Sequence, residues 1–252
     1  ENLVPSTTPA VTTINDSADT TDLTLTASET ITEGGQITYT ATLSNPAQTP
    51  ITVTLSNGAV INIAAGATTG TVAVDTPAND VYNNSSTVST TIVGTSGGNF
   101  ENLVPSTTPA VTTITDSADT TDLTLSATGT VAEGGSIVYT ATLTNAAGSP
   151  VTITLSNGAV INIAAGAKTG TVTVDAPKDD VYKDSGKVEV SIDKATGGNF
   201  ENLVPSTAPA VTDVTDTLDT STVSLTATPS VGEGGTVVYT ASVNAPVTGA
   251  PL

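Results

Sequence analysis

Leu23-Thr24-Leu25-Thr26-Ala27 and Glu33-Gly34-Gly35-Gln36-Ile37-Thr38-Tyr39-Thr40-Ala41-Thr42-Leu43 decide the fold. Apolar and polar residues alternate on both sides of a glycine turn. A period of two puts Leu23, Leu25, Ile37, Tyr39, Ala41 and Leu43 on the inner face of two strands, A and B. The pattern continues outward from there. Ile51, Val53 and Leu55 mark strand C, and Ser56-Asn57-Gly58 is a tight turn. Ile61 and Ile63 mark strand D, Val72 and Val74 strand E, and Val88 and Ile92 strand F. Residues 103–114 form strand G, which Pro105 and Pro109 confine to an edge because proline cannot donate to a ladder. Seven short antiparallel strands in about 100 residues predict an all-β, immunoglobulin-like β-sandwich. Tyr82 and Tyr182 precede strand F. Each either makes a tyrosine corner or packs under its loop.

The same reading applies more than once. Glu1-Asn2-Leu3-Val4-Pro5 recurs at Glu101 and Glu201, a period of 100 residues. Residues 1–25 and 101–125 differ only at Asn15 versus Thr115, and residues 55–67 equal 155–167. A period this long is a whole domain, not a solenoid turn. The strand frame predicts domains at 19–118 and 119–218. Residues 1–18 are then the last strand of a preceding repeat, and 219–252 are the first strands of a following one. The expectation is an elongated tandem array longer than this sequence, with terminal fragments that lack their partners.

Composition narrows the function. The formal net charge of -19 opposes nucleic acid and anionic lipid and favours divalent cations. The absence of Cys excludes a disulfide-stapled module. The sequence carries neither a run of eighteen apolar residues nor a secretory signal pattern.

The acids are the candidate site. Strand order brings the A–B, C–D and E–F loops and the end of strand G to one pole, facing the next repeat. Glu33, Asp75, Asp80, Asp116 and Asp119 gather there in the first repeat. Glu133, Asp175, Asp179, Asp180, Asp216 and Asp219 gather in the second. Like charges held together oppose folding unless a cation joins them. A site made wholly of oxygen, in a chain without His or Cys, suits Ca2+ and not structural zinc. Asp116 closes one repeat and Asp119 opens the next, so a shared calcium would clamp the joint. Asp16 and Asp19 would lack the loops of a preceding repeat, whereas Asp216 and Asp219 would have Glu133 and Asp180 to meet them. The competing reading is that these Asp residues simply make turns and caps.

Other chemistries fit poorly. Carboxylate pairs can cleave glycosides, but a catalytic site in every bead is unusual, and no aromatic platform accompanies these acids. Nucleophilic catalysis has no His or Cys to support it. No enzyme is expected. Thr38, Thr40, Thr42, Thr152 and Thr154 read as a solvated strand face, although a Thr array could also meet sugar or ice. Two readings remain: a structural spacer stiffened by calcium, or a module whose repeats themselves bind sugar, ice or one another.

Several motifs carry a family resemblance. They are Val131-Ala132-Glu133-Gly134-Gly135 before Val138-Tyr139-Thr140-Ala141, Asp175-Ala176-Pro177-Lys178-Asp179-Asp180-Val181-Tyr182, and Gly197-Gly198-Asn199-Phe200-Glu201-Asn202-Leu203. Together they resemble the extender repeats of large LapA-type bacterial biofilm adhesins of the repeats-in-toxin class. The Glu-Gly-Gly turn and the Asp-Asp-Val-Tyr loop also resemble the calcium-binding Calx-beta sandwich. The resemblance implies an extracellular spacer on the bacterial surface, exported by type I secretion, that supports attachment and biofilm. It implies neighbouring repeats as partners, no direct membrane contact, and an adhesive ligand held outside this segment. It assigns calcium to Glu33, Asp80, Asp116 and Asp119, and to Glu133, Asp180, Asp216 and Asp219. The first repeat departs at Asn79 and Asn84, where the second has Asp179 and Asp184.

Overall fold

The computed structural model describes residues 1–15 and 17–248, so the expectation for Asp16 lies outside the described residues. Those residues are all-β and form two compact units. The first unit takes the chain to Asp80 together with Asn84–Ser117, and the second takes Val81–Asn83 and the chain from Ala118 onward.

In the first unit the strands are β1 (Thr20–Ala27), β2 (Thr30–Thr32), β3 (Gln36–Leu43), β4 (Ile51–Leu55), β5 (Val60–Ile63), β6 (Thr69–Asp75), β7 (Ser86–Thr90), β8 (Ile92–Gly97), β9 (Asn102–Pro105) and β10 (Ala110–Thr115). One layer is the sheet β6-β3-β1-β9. The other layer contains β2-β10-β7 and β5-β4-β8. The seven expected stretches are all present, with A, F and G each broken in two. Strand F breaks at Thr91, where Ser56 N donates to Thr91 O at 2.9 Å and Thr91 N donates to Ser56 Oγ at 3.1 Å.

The breaks in A and G have one cause. Both strands cross from one sheet to the other. β1 pairs with β9 in the first layer and β2 with β10 in the second, and both pairings are parallel. The all-antiparallel expectation therefore fails at the A–G seam. The edge assignment of strand G holds for half of it. β9, which ends at Pro105, is an edge strand, whereas β10 lies between β2 and β7. Pro109 falls in the crossing segment, where no ladder needs its missing N–H.

Alternation builds the core as expected. Leu23, Tyr39, Ala41, Leu43, Ile51, Val53, Leu55, Ile61 and Ile63 are buried between the layers. Tyr39 reaches across to Thr90, with its hydroxyl 2.8 Å from Thr90 Oγ1. Thr38 and Thr152 are exposed, and Thr40, Thr42 and Thr154 are half-buried, in keeping with a solvated strand face. Thr112 is different: it is buried and donates to Ser28 O at 2.7 Å. Gly97 has to be glycine: its φ is +87, and a Cβ there would stand 2.2 Å from Pro50 O.

The second unit repeats this plan with β11 (Thr120–Ala127), β12 (Thr130–Ala132), β13 (Ser136–Leu143), β14 (Val151–Leu155), β15 (Val160–Ile163), β16 (Thr169–Asp175), β17 (Gly186–Val190), β18 (Ile192–Gly197), β19 (Asn202–Pro205) and β20 (Ala210–Thr215). Its sheets are β16-β13-β11-β19, β12-β20-β17 and β15-β14-β18. The same unit holds a hairpin of β21 (Val223–Ala227) and β22 (Tyr239–Val243), in the register of β1 and β3.

Neither reading of Tyr82 describes what it does. Val81–Asn83 are packed into the second unit. The Tyr82 ring stacks on Phe200, with centroids 6.0 Å apart and planes 23° apart. Its hydroxyl donates to Ala146 O at 2.8 Å. A tyrosine corner bonds a few residues upstream, whereas this bond spans 64 residues forward.

Candidate metal centre

The A–B turn positions the first acid. Gly134 adopts φ +69, a conformation that favours glycine, and packs against Asp179. The turn is anchored at two points: Glu133 N donates to Thr215 O at 3.0 Å and Gly134 N to Pro177 O at 2.7 Å. The first bond sets Glu133 beside the residue after Thr215, which is Asp216. The second draws in the loop that carries Asp179, Asp180 and Asp184. Three pieces of chain far apart in sequence are thereby tied together by backbone hydrogen bonds.

The result is a carboxylate triad of Glu133, Asp184 and Asp216, with ligand oxygens all within 4.8 Å of one another. Glu133 is 8% exposed. Its Oε2 and Asp216 Oδ1 are buried with no hydrogen-bond partner among the described residues. Burial, then a hydrogen bond with Asp184, then the charges of Asp184, Asp216 and Asp180 push the Glu133 carboxyl up to about 7. A buried carboxylate oxygen without a donor is costly, and a second beside it adds repulsion. Either a proton or a cation relieves both. The donor set is all oxygen and fits a hard cation. A cleft of about 120 Å³ beside Glu133 is lined in part by Lys178, Asp184 and Lys187. Lys187 is paired with Asp213 at 3.3 Å on the surface.

The expected acids divide into two groups. Glu133 and Asp216 are brought together, and Asp180 is close enough to act on Glu133 by charge. Asp180 Oδ1 also accepts from Tyr182 N at 2.7 Å, a turn-making role. Asp179 accepts from the Thr217 hydroxyl. Asp175 ends β16 and is exposed, and Asp219 is exposed. In the first unit, Glu33 and Asp116 bring ligand oxygens within 4.8 Å of each other. Glu33 is held in the same way, with Glu33 N donating to Thr115 O at 3.0 Å. Asp116 Oδ1 accepts from Asn84 N at 3.2 Å, and Asp80 Oδ2 accepts from Asn84 Nδ2 at 2.9 Å. Asp75 accepts from Gln36 Nε2 at 2.8 Å.

Two acids were missed by sequence reasoning. Asp184 was noted as a difference between repeats but not as a candidate ligand. Its signal was its place four residues after Asp180, in a loop already counted. Glu201 was quoted in a motif and given no role. Its Oε2 accepts from Asp119 N at 2.6 Å, and its Oε1 is buried with no partner among the described residues. Glu101 treats Asp19 N in the same way, also at 2.6 Å. Recurrence of this Glu every 100 residues was the signal. Asp119 is thus tied through its amide by a carboxylate from the far end of its own repeat.

A model of the LapA domain matches residues 19–117 and again residues 119–217. No curated protein matches the chain. Among the described residues, no helix is long and apolar enough to cross a membrane. With two sandwiches of one plan, each matched by the family model, the chain belongs to the LapA domain family of adhesin repeats, which is a cell-surface family and not an enzyme family.

Proposed function

We propose that this chain is a spacer segment of a large bacterial surface adhesin, and that its repeats bind calcium at the joints between them and are stiffened by it. One observation carries the reading: Glu133, Asp184 and Asp216 each bring one carboxylate oxygen within 4.8 Å of the others, and Glu133 Oε2 and Asp216 Oδ1 are buried without hydrogen-bond donors among the described residues. Calcium takes six to eight oxygens at about 2.3–2.6 Å and tolerates irregular geometry. Glu133, Asp184 and Asp216 would be its side-chain ligands, with Asp180 adding charge. Asp216 is the penultimate residue of the second matched stretch, which supports a place at the boundary between repeats.

The spacer role follows from repetition. Each sandwich would add roughly 40 Å of length, from strands rising about 3.3 Å per residue plus the loops. The partners of the segment are neighbouring repeats, and the adhesive ligand belongs to another part of the adhesin. A net charge of -19 opposes contact with nucleic acid or an anionic membrane. Export by type I secretion and a role in biofilm complete the proposal.

Calorimetric melting and small-angle scattering, in calcium and in chelator, test it. Calcium is expected to raise the melting temperature and to narrow the distribution of interatomic distances. Glu133→Gln should remove most of the response from the second repeat. Identical melting and scattering in the two conditions would sink the reading.

A further inference from the structure

The Tyr82 contacts in the second unit describe a plug in a socket. The ring rests on Phe200 and its hydroxyl donates to Ala146 O at 2.8 Å. Around it the backbones pair: Asn83 N donates to Asn199 O at 3.0 Å, and Glu201 N donates to Val81 O at 3.1 Å. Asn199 Nδ2 adds a bond to Asn83 O at 3.3 Å. A short antiparallel bridge between Tyr82 and Phe200 completes the fit. The device recurs once more in the same unit, where the Tyr182 hydroxyl donates to Pro246 O at 2.8 Å, again 64 residues on.

The first unit carries the same socket. A cleft of about 400 Å³ is lined by Asp19, Thr21, Asn45, Pro46, Phe100 and Glu101, among others. Pro46 stands where Ala146 and Pro246 accept the tyrosine hydroxyl. Asn99 has φ 55, the value of Asn199, so the backbone that pairs with a plug is already set. Phe100 is half-buried where Phe200, under the Tyr82 ring, is buried.

We propose that this cleft is a binding site for the Val-Tyr loop of another repeat of this kind, so that each repeat is both plug and socket. The occupant is fixed by chemistry: a tyrosine for the Phe100 face and the Pro46 carbonyl, flanked by extended backbone for Asn99 and Glu101. Gln48 tunes the site. Its Oε1 accepts from Asn99 Nδ2 at 2.7 Å, occupying the donor that Asn199 gives to the plug. Its position is glycine in the second repeat, where an added Cβ would meet the Tyr82 ring at 2.9 Å. Thr248 holds the same position beside Tyr182, so a Cβ there is tolerated. The proposal is independent of any cation.

A peptide of residues 78–85 (Ala-Asn-Asp-Val-Tyr-Asn-Asn-Ser), titrated into the full chain in chelator and followed by amide NMR, tests it. Saturable shifts are expected at Asn99, Phe100 and Glu101, and none at the filled socket around Asn199 to Glu201. A Tyr→Phe peptide should bind about fivefold more weakly, the loss of one ordinary hydrogen bond, and a Tyr→Ala peptide at least tenfold. Gln48→Gly in the chain should tighten binding. The proposal fails if no saturable shift appears, if the Tyr→Ala peptide binds as well, or if p-cresol alone moves the same amides equally.

Discussion

Residues 1–14 and 101–114 have identical sequences and different structures. The second copy supplies β9 and β10, and Ile114 is 4% exposed. The first copy forms no strand, and Ile14 is 92% exposed. The same contrast separates Tyr39 and Tyr139, both 1% exposed, from Tyr239 at 68% in the hairpin of β21 and β22. Alternation therefore prepares a face, and the opposing layer turns it into a core. A comparison of the two complete repeats teaches the complementary lesson. They share sheets and registers, and their differences include Asn84 versus Asp184, Gln48 versus Gly148 and Thr90 versus Val190.

The largest expected contrast lies between the identical segments. Ile114→Ala should destabilise its unit by about 2–5 kcal/mol, whereas Ile14→Ala should stay within about 0.5 kcal/mol, both read by denaturant unfolding. Equal costs would mean that residues 1–14 are packed in solution as 101–114 are.

Calcium at a hundredfold excess over its Kd should stabilise the second repeat by about 2.7 kcal/mol, and Glu133→Gln should remove most of this gain. Without the cation the dependence on pH has the opposite sense. Glu133 titrates near 7 in the folded chain against an ordinary value of 4.5. Stability from holding its proton is complete below pH 4.5 and is lost as the pH rises through 7. In chelator the melting temperature of the second repeat should therefore fall between pH 4.5 and 7. Calcium, by displacing the proton, should flatten that fall. A Glu133→Gln chain that keeps the full fall would dissociate the effect from this carboxyl.

Exchanging the site residues sharpens the comparison further. Asp184→Asn should weaken calcium binding at the second repeat by about tenfold, since affinity follows the number of charged ligands. Isothermal titration reads this directly, and Asn84→Asp should shift the first repeat the other way. The smallest contrast is in the core. Tyr39→Phe loses the bond to Thr90 and should cost about 1 kcal/mol. Tyr139→Phe, with Val190 in place of that hydroxyl, should cost less.

Much of the fold was legible because its cause is local. Leu23, Leu25, Ile37 and Tyr39 show their face by spacing alone, and turn glycines punctuate the strands. The crossing of strands A and G was hidden, since a residue's spacing is the same whichever sheet it joins. Pro105 and Pro109 marked the place without revealing the switch. The acidic site was legible as a gathering of loops. Its membership was legible in part: Glu133 and Asp216 were among the expected acids, but the fold brings Asp184 to them and leaves Asp175 at the end of its strand.

By itself the sequence determined the repeat, the seven apolar stretches, the all-oxygen make-up of the acidic clusters and the sign of the charge. Each of these depends on residue identity and short-range spacing. The tertiary structure alone decided which identical segments become strands, which carboxylates lose their water together, and where Tyr82 is spent. Those outcomes depend on long-range backbone pairing, which brings together groups that spacing along the chain keeps far apart.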